Sequence, residues 1–252
     1  MGHDIAKLVN IATDLMQHRW PEALGGFAGG SIFRGQGKPH SDIDLVILLP
    51  QQDKPRKYWL RHQDVPFDVF CHDEHTLRHY ALQDRQDRRH GLLAIMADGV
   101  ILPEPKPVFV KWQRYARNVL QKGFLPLAQD ERLARRYFLM DCLDDYADAT
   151  DPAERYTIAT RLHTLLLETI CLLGDGQLGN GKWLGRLAQK ADAPLTHAVN
   201  AALAADLANP ADFGLLEIGE ALLACLGGRL KEEACMEGRA ENRKEKLRLF
   251  LP

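Results

Sequence analysis

The residues best suited to chemistry lie in GGSIFRGQGKPHSDIDLVIL, Gly29 to Leu48. Asp42 and Asp44 flank Ile43 in a run that reads as a strand, and on a strand residues two apart point to one face. Two carboxylates held that closely repel each other unless a cation neutralises them. Mg²⁺, a hard ion with oxygen ligands, is the cation that suits them. A third acid is available in VPFDVFC, where Asp68 sits between apolar Phe67 and Val69; Asp64 and Asp73 compete for the role if the strand register differs. Three converging carboxylates can hold two Mg²⁺ ions and clamp both sides of an in-line displacement at phosphorus. Upstream, Gly29, Gly30 and Ser31 form a turn that lets backbone N–H groups approach an anion, and a short helix is expected from about Ile32.

The elements that must position these groups fall into two regimes, with the change near Pro103–Pro107. Before it, an amphipathic helix carries Ile5, Leu8, Val9, Ala12, Leu15 and Met16 at helical spacing. Asp42–Pro50, rich in branched residues and ending at the proline, reads as a buried strand, and Tyr58–His72 holds one or two more, interrupted near Asp64–Pro66. Asp73 is placed to cap a helix, another helix runs through Leu92–Gly99, and the short strand Val100–Leu102 closes the region. After Pro107 only helical patterns remain, over 108–121, 129–149, 153–173, 182–191, 195–207 and 213–237. The expectation is an α+β chain: residues 1–106 a mixed sheet flanked by helices, residues 107–252 an all-α bundle.

Gly30–Ser31, the ten-residue gap, Asp42–Ile43–Asp44 and the later Asp68 resemble the DNA polymerase β-like nucleotidyltransferase superfamily. Arg34–Gly35 is similar to the small bacterial members, and the helical second half to aminoglycoside nucleotidyltransferases. The resemblance implies an NTP, with ATP the expected donor, held by Gly29, Gly30, Ser31 and Arg34, and Mg²⁺ on Asp42, Asp44 and Asp68. It also implies that a lysine of the helical domain reaches the triphosphate. Lys182 is the candidate, against the commoner fate of a surface lysine. An NMP would pass to a hydroxyl of a small acceptor lying between the two domains, with Asp68 or a neighbouring carboxylate taking the proton. A protein acceptor, as in toxin–antitoxin nucleotidyltransferases, and a non-catalytic nucleotide-binding scaffold are the alternatives.

Composition narrows the partners. The 252 residues carry 32 Lys plus Arg against 34 Asp plus Glu, and residues 1–106 hold 13 and 14 of these. Neither part has the positive field of a dedicated nucleic-acid surface. No run approaches the ~18 apolar residues of a membrane helix. Five scattered cysteines read as reduced thiols, so the protein is expected in the cytoplasm. Oligomeric state is not encoded in any feature of the sequence. His72, His75 and His79 have a spacing that suits a metal on a helix, but without a partnered cysteine they read as partly exposed helix residues. His40 lies beside the acids, and Trp183 reads as core rather than as a stacking platform. Asp141, Asp144, Asp145 and Asp148 share one helical stripe. That stripe is either a solvated face balanced by Arg132, Arg135 and Arg136, or a border that attracts a cationic acceptor through Asp144 and Asp145. The C-terminal ENRKEKLRLF reads as a solvated charge run.

Overall fold

The computed structural model describes residues 4–89, 91–209, 213–231 and 235. The charge run at 241–250 lies outside them. The chain starts with α1 (Ile5–Arg19), whose first turn is capped by the Asp4 carboxylate accepting from the Lys7 amide at 3.1 Å. Then come β1 (Gly25–Gly29), β2 (Ile43–Leu48), β3 (Arg56–His62), β4 (Val65–His72), α2 (Glu74–Gln86), α3 (Gly91–Asp98), β5 (Val100–Leu102) and α4 (Pro107–Lys122). The helices α5 (Gln129–Asp148), α6 (Pro152–Leu173), α7 (Lys182–Ala191), α8 (Ala193–Ala208) and α9 (Gly214–Leu226) follow. The α+β class read from the sequence is the observed one.

The five strands form one mixed sheet in the order β3-β4-β2-β1-β5. Strand β2 pairs in parallel with β4, and every other pairing is antiparallel. Alternation splits the sheet's side chains between two cores. Ile43, Leu45, Ile47, Phe67 and Val69 pack with α1, while Val46, Leu48 and Phe27 pack with α2, α3 and α4. The second face also carries Asp44 and Asp68, beyond the part that the helices cover.

The chain divides into two compact units, Met1–Leu125 with Gly174–Leu187, and Pro126–Leu173 with Ala188–Pro252. Helix α4 belongs with the sheet for a visible reason. Its Gln113 donates to the carbonyls of Met96 and Gly99, and its Arg117 to Ala97, which satisfies the C-terminal carbonyls of α3. The segment 174–187 returns to the sheet unit through a bridge between Leu178 and Arg89, and through the Leu178 amide donating to the Arg88 carbonyl at 2.7 Å. Within the second unit, α5, α6, α8 and α9 pack on one another around Leu139, Leu143, Leu162, Leu166, Val199 and Leu222.

One strand joins those read from the sequence, and two local expectations are corrected. The glycine-rich LGGFAG run, in which the sequence shows no strand pattern, is strand β1. A Cβ on Gly26 would lie 2.3 Å from the Val46 carbonyl oxygen, so glycine is demanded there by close approach of β2. The helix expected from Ile32 is a single turn over residues 31–35, closed by Gly35 N–H to Ile32 O and Gln36 N–H to Ser31 O. Gly35, Gly37 and Pro39 are poor helix formers and nothing propagates the turn. The helix expected over 213–237 ends at Leu226, where the amides of Gly227 and Gly228 bond back to Ala224 and Leu223; residues 232–234 and 236–237 of that expectation lie outside the described residues.

Candidate active site

The hairpin between β3 and β4 fixes the register of the acids. Gln63 and Asp64 take φ of 47° and 63°, the paired left-handed conformation of a two-residue hairpin turn. From there the pairing runs without a slip and sets Trp59 opposite Asp68. Across the parallel pair Asp68 stands opposite Asp44, and across β1 Asp44 stands opposite Gly29. Asp42 precedes β2 and shares Asp44's parity. Asp42, Asp44 and Asp68 therefore gather at one end of the sheet. The two competitors do not join them: Asp64 sits in the hairpin turn, and Asp73 caps α2 in a reciprocal pair with Thr76.

Charge in this row is poorly compensated. Burial, and then the charges of Asp42 and Asp68, push the Asp44 carboxyl up to about 6. The cation in direct contact is Lys57, whose Nζ lies 2.7 Å from Asp68 Oδ2 and 4.9 Å from the centre of the Phe70 ring. Gly30 has φ of +105°, and a Cβ there would come within 2.6 Å of Asp44 Oδ2. Both facts reserve the position for glycine and keep the space over Asp44 clear. These are hard oxygen donors of the kind Mg²⁺ takes, with charge left over for it to neutralise. Among the described residues no three ligating groups converge on one point.

The expected phosphate ligands are distributed around the same end of the sheet. Ser31 is buried, and its hydroxyl donates to the Ser41 hydroxyl at 3.1 Å. Arg34 pairs with Asp98 at 3.2 Å, stacks 4.6 Å from the Trp183 ring, and keeps a buried Nε with no acceptor. Arg186 stands 4.7 Å from the same indole. Trp183, expected in the core, is thus a wall residue contributed by the returning 174–187 segment. Lys182, at the start of α7, is exposed and lies outside the cavity wall. His40 is exposed in the loop before β2.

A cavity of about 680 Å³ opens from Asp44 and Arg34 and runs down the same face past Phe70 and His72. Tyr80 of α2, Ile95 of α3 and Asn180 of the returning segment close it. Asn180 accepts from Arg89, which holds that segment in place. His72 was expected on a helix with His75 and His79. It is instead the last residue of β4, 6% exposed, with Nδ1 unpartnered. Desolvation lowers its pKa, so it is a neutral ring at pH 7. His75 and His79 lie exposed on α2, away from that face.

Residues 12–89 match the nucleotidyltransferase domain family. Over that segment, under a third of the chain, the sequence carries the pattern of a nucleotidyltransferase domain. The matched segment contains β1, the Gly30–Ser31 turn, β2 and β4, and with them Asp42, Asp44 and Asp68. No curated protein matches the chain. Among solved structures, the chain is similar to a nucleotidyltransferase-like protein from Exiguobacterium sibiricum 255-15. Identity is 13%, coverage is 86% of this chain and 75% of that one, and the TM-score is 0.46. No helix among the described residues is long and apolar enough to cross a membrane.

The acids were legible from spacing because a strand fixes where residues i and i+2 point. The walls of the cavity were not. Phe70, His72 and Lys57 could have been suspected from β3–β4 alternation, since they share the parity of Asp68. Arg89 and Asn180 come together only through long-range contacts.

Proposed function

We propose that this nucleotidyltransferase moves AMP from ATP to a hydroxyl of a small acceptor, with Mg²⁺ held by Asp42, Asp44 and Asp68. One observation carries the reading: three carboxylates share an end of the sheet, and Asp44 is raised to about 6 by burial and by the other two. A protein does not keep that repulsion beside a glycine turn and an open cavity without a cationic partner to relieve it. Mg²⁺ bound there would neutralise the triphosphate and stabilise charge at the α-phosphorus.

The chain's own residues do the rest. Gly30 leaves room over Asp44, and Ser31, Gly29 and Arg34 take the β- and γ-phosphates. The cavity receives the nucleoside, with Phe70, Trp183 and Ile95 offering apolar surface to a purine. The acceptor oxygen attacks the α-phosphorus while the bond to the bridging oxygen breaks and pyrophosphate leaves. Asp68 takes the hydroxyl proton. Lys182, exposed at the start of α7, would have to swing inward to touch the triphosphate, so Arg34 and Arg186 are the stronger cations for it.

Asp144 forms an ion pair with Arg229 at 2.7 Å, which spends one of the two carboxylates that suggested a cationic acceptor. The acceptor's charge is better argued from the sheet itself. The test is ATP binding followed by melting temperature, with Mg²⁺ and with EDTA, and pyrophosphate release across an acceptor panel. Mg²⁺-dependent stabilisation with acceptor-dependent pyrophosphate release supports the reading. Equal stabilisation by ATP in EDTA removes the acids as metal ligands.

A further inference from the structure

We propose that Trp59 is the platform on which the acceptor rests, and that the acceptor is a ring compound carrying an anionic group, such as a phosphorylated sugar or nucleoside. The inference rests on reading the acid row as the site of transfer. Four residues stand on one cross-strand row of the sheet, in the order Gly29, Asp44, Asp68, Trp59. Three strand spacings separate its ends, about 14 Å at the usual interstrand distance.

An in-line displacement at phosphorus puts leaving group and nucleophile on opposite sides of the reacting atom. The turn that would hold the leaving pyrophosphate follows Gly29, at the β1 end of the row. The nucleophile must then arrive from the other end, over β4 and β3, where Trp59 stands next to Asp68.

Trp59 is unusual for a tryptophan on a sheet. It is 71% exposed, against 7% for Trp20 on the opposite side. Directly paired residues on antiparallel strands share a face with Cβ atoms about 5 Å apart, so the indole adjoins the Asp68 carboxylate. The Lys57–Asp68 contact at 2.7 Å confirms that this face of β3 looks onto the acids. Tyr58, of opposite parity, packs instead on Trp20 of the α1 side at 5.5 Å. A bare indole is a poor surface residue but a good stacking surface for a sugar or base.

The charge preference comes from the neighbours. Lys57 and Arg61, two residues either side of Trp59, share its face and place cations on both flanks. Arg61 donates to the Asp64 carbonyl at 3.0 Å, which holds its guanidinium near the hairpin. Lys57 is paired with Asp68, so its charge is offered to a ligand only when Mg²⁺ takes up the charge of the acid row; with the ion held there, Lys57 and Arg61 would draw a phosphate and oppose an ammonium-rich acceptor.

The experiment uses the full chain with ATP and Mg²⁺, and five probes: AMP, glucose 6-phosphate, glucose, an aminocyclitol and glycerol 3-phosphate. The protein is labelled with 5-fluorotryptophan, and the Trp59 ¹⁹F resonance is assigned by its loss in Trp59→Phe. Expected is a shift of that resonance with AMP or glucose 6-phosphate and none with glycerol 3-phosphate, which has the anion but no ring. For the probe that is nucleotidylated, Trp59→Ala should raise acceptor KM by about tenfold with kcat and ATP affinity within twofold, and Trp59→Phe should recover most of the loss. A shift only with the aminocyclitol overturns the charge assignment. No shift with any probe, an equal KM change for glycerol 3-phosphate, or a change in oligomeric mass on Trp59→Ala without a KM effect overturns the platform. The Mg²⁺-dependent melting shift with ATP is read on the same samples. If it persists while Trp59 is silent, the platform alone fails; if it is absent, the transfer site fails with it.

Discussion

Each compact unit holds one conspicuous group of charges, and the two are built to opposite rules. In the sheet unit, Asp42, Asp44 and Asp68 are like charges on one face, touched directly by one ammonium. In the helical unit, Arg155 and Asp206 are almost inaccessible, at 5% and 4%, and answer each other completely. Arg155 Nε and Nη2 both reach Asp206 Oδ1, at 3.1 and 2.8 Å, and the guanidinium lies 4.4 Å from the rings of both Tyr146 and Phe213. Burial drives the Tyr146 pKa upward, and the bond from its hydroxyl to the same carboxylate adds to the shift. That group is closed, and its members have nothing left to offer a ligand. The acid row is open, and its unmet charge is a demand for something from outside. The acids are half-buried and the pair is buried, and compensation differs with depth: the deeper group is answered and the shallower one is not.

The largest effect should come from breaking the open group. Asp44→Asn removes a central carboxylate of the row, and activity should fall by on the order of 10³-fold. Pyrophosphate release measured at saturating ATP and Mg²⁺ checks it, and full activity in the variant would take Asp44 out of the machinery. The closed group should answer differently. Arg155→Met strands a buried Asp206, and the expected cost is about 3–5 kcal/mol of stability, read from a urea midpoint. Arg155→Met with Asp206→Leu should recover most of that loss, because two apolar side chains leave no buried charge.

How far the sequence discloses these two groups follows from the same contrast. The acids are local: Asp42–Ile43–Asp44 and Asp68 declare themselves through strand parity, and one register joins them. The helical unit was legible as helices in its sequence pattern, yet the Arg155–Asp206 pair is 51 residues apart in sequence and has no local signature. Strand β1 was missed because its glycines answer to crowding by β2 rather than to strand propensity. The returning segment 174–187 was missed because the Leu178–Arg89 bridge is a tertiary event. Trp59 could have been read as facing the acids once the hairpin register was known, but only the fold shows its ring uncovered.

A smaller effect sharpens the comparison through pH. Asp44 is raised to about 6, so the folded protein keeps a proton that the unfolded chain releases near its ordinary value of 3.8. Stability from this group is therefore present below that value and lost as pH rises through about 6. Asp44→Asn has no such loss. Without metal, its melting temperature should rise above wild type progressively from about pH 4 to about pH 7 and then run parallel, by an amount worth about 1–2 kcal/mol after allowance for partial exposure. A gap that stays constant across that range would mean that the row is not under electrostatic stress.

The smallest effect belongs to a third arrangement, the exposed stripe on α5. Arg229 joins Asp144 at 2.7 Å and also binds Glu220, and both acids are bathed in solvent. Here compensation exists but water competes for it, so the pair is worth little. Asp144→Asn should cost less than about 0.5 kcal/mol, and Asp145→Asn should be nearly neutral, since its neighbours on the stripe are acids and removing one relieves repulsion. The double variant should leave ATP affinity unchanged and should leave the KM for an aminocyclitol unchanged at moderate salt. An increase of about threefold or more that vanishes at roughly 0.5 M salt would mark a long-range attraction exerted by exposed charge. The stripe would then count with the acid row as charge kept for a ligand, and its partial pairing with Arg229 would be a contact the acceptor displaces. With KM flat, the stripe counts with neither group, and the uncompensated charge of the half-buried acids remains the feature on which the proposed site rests.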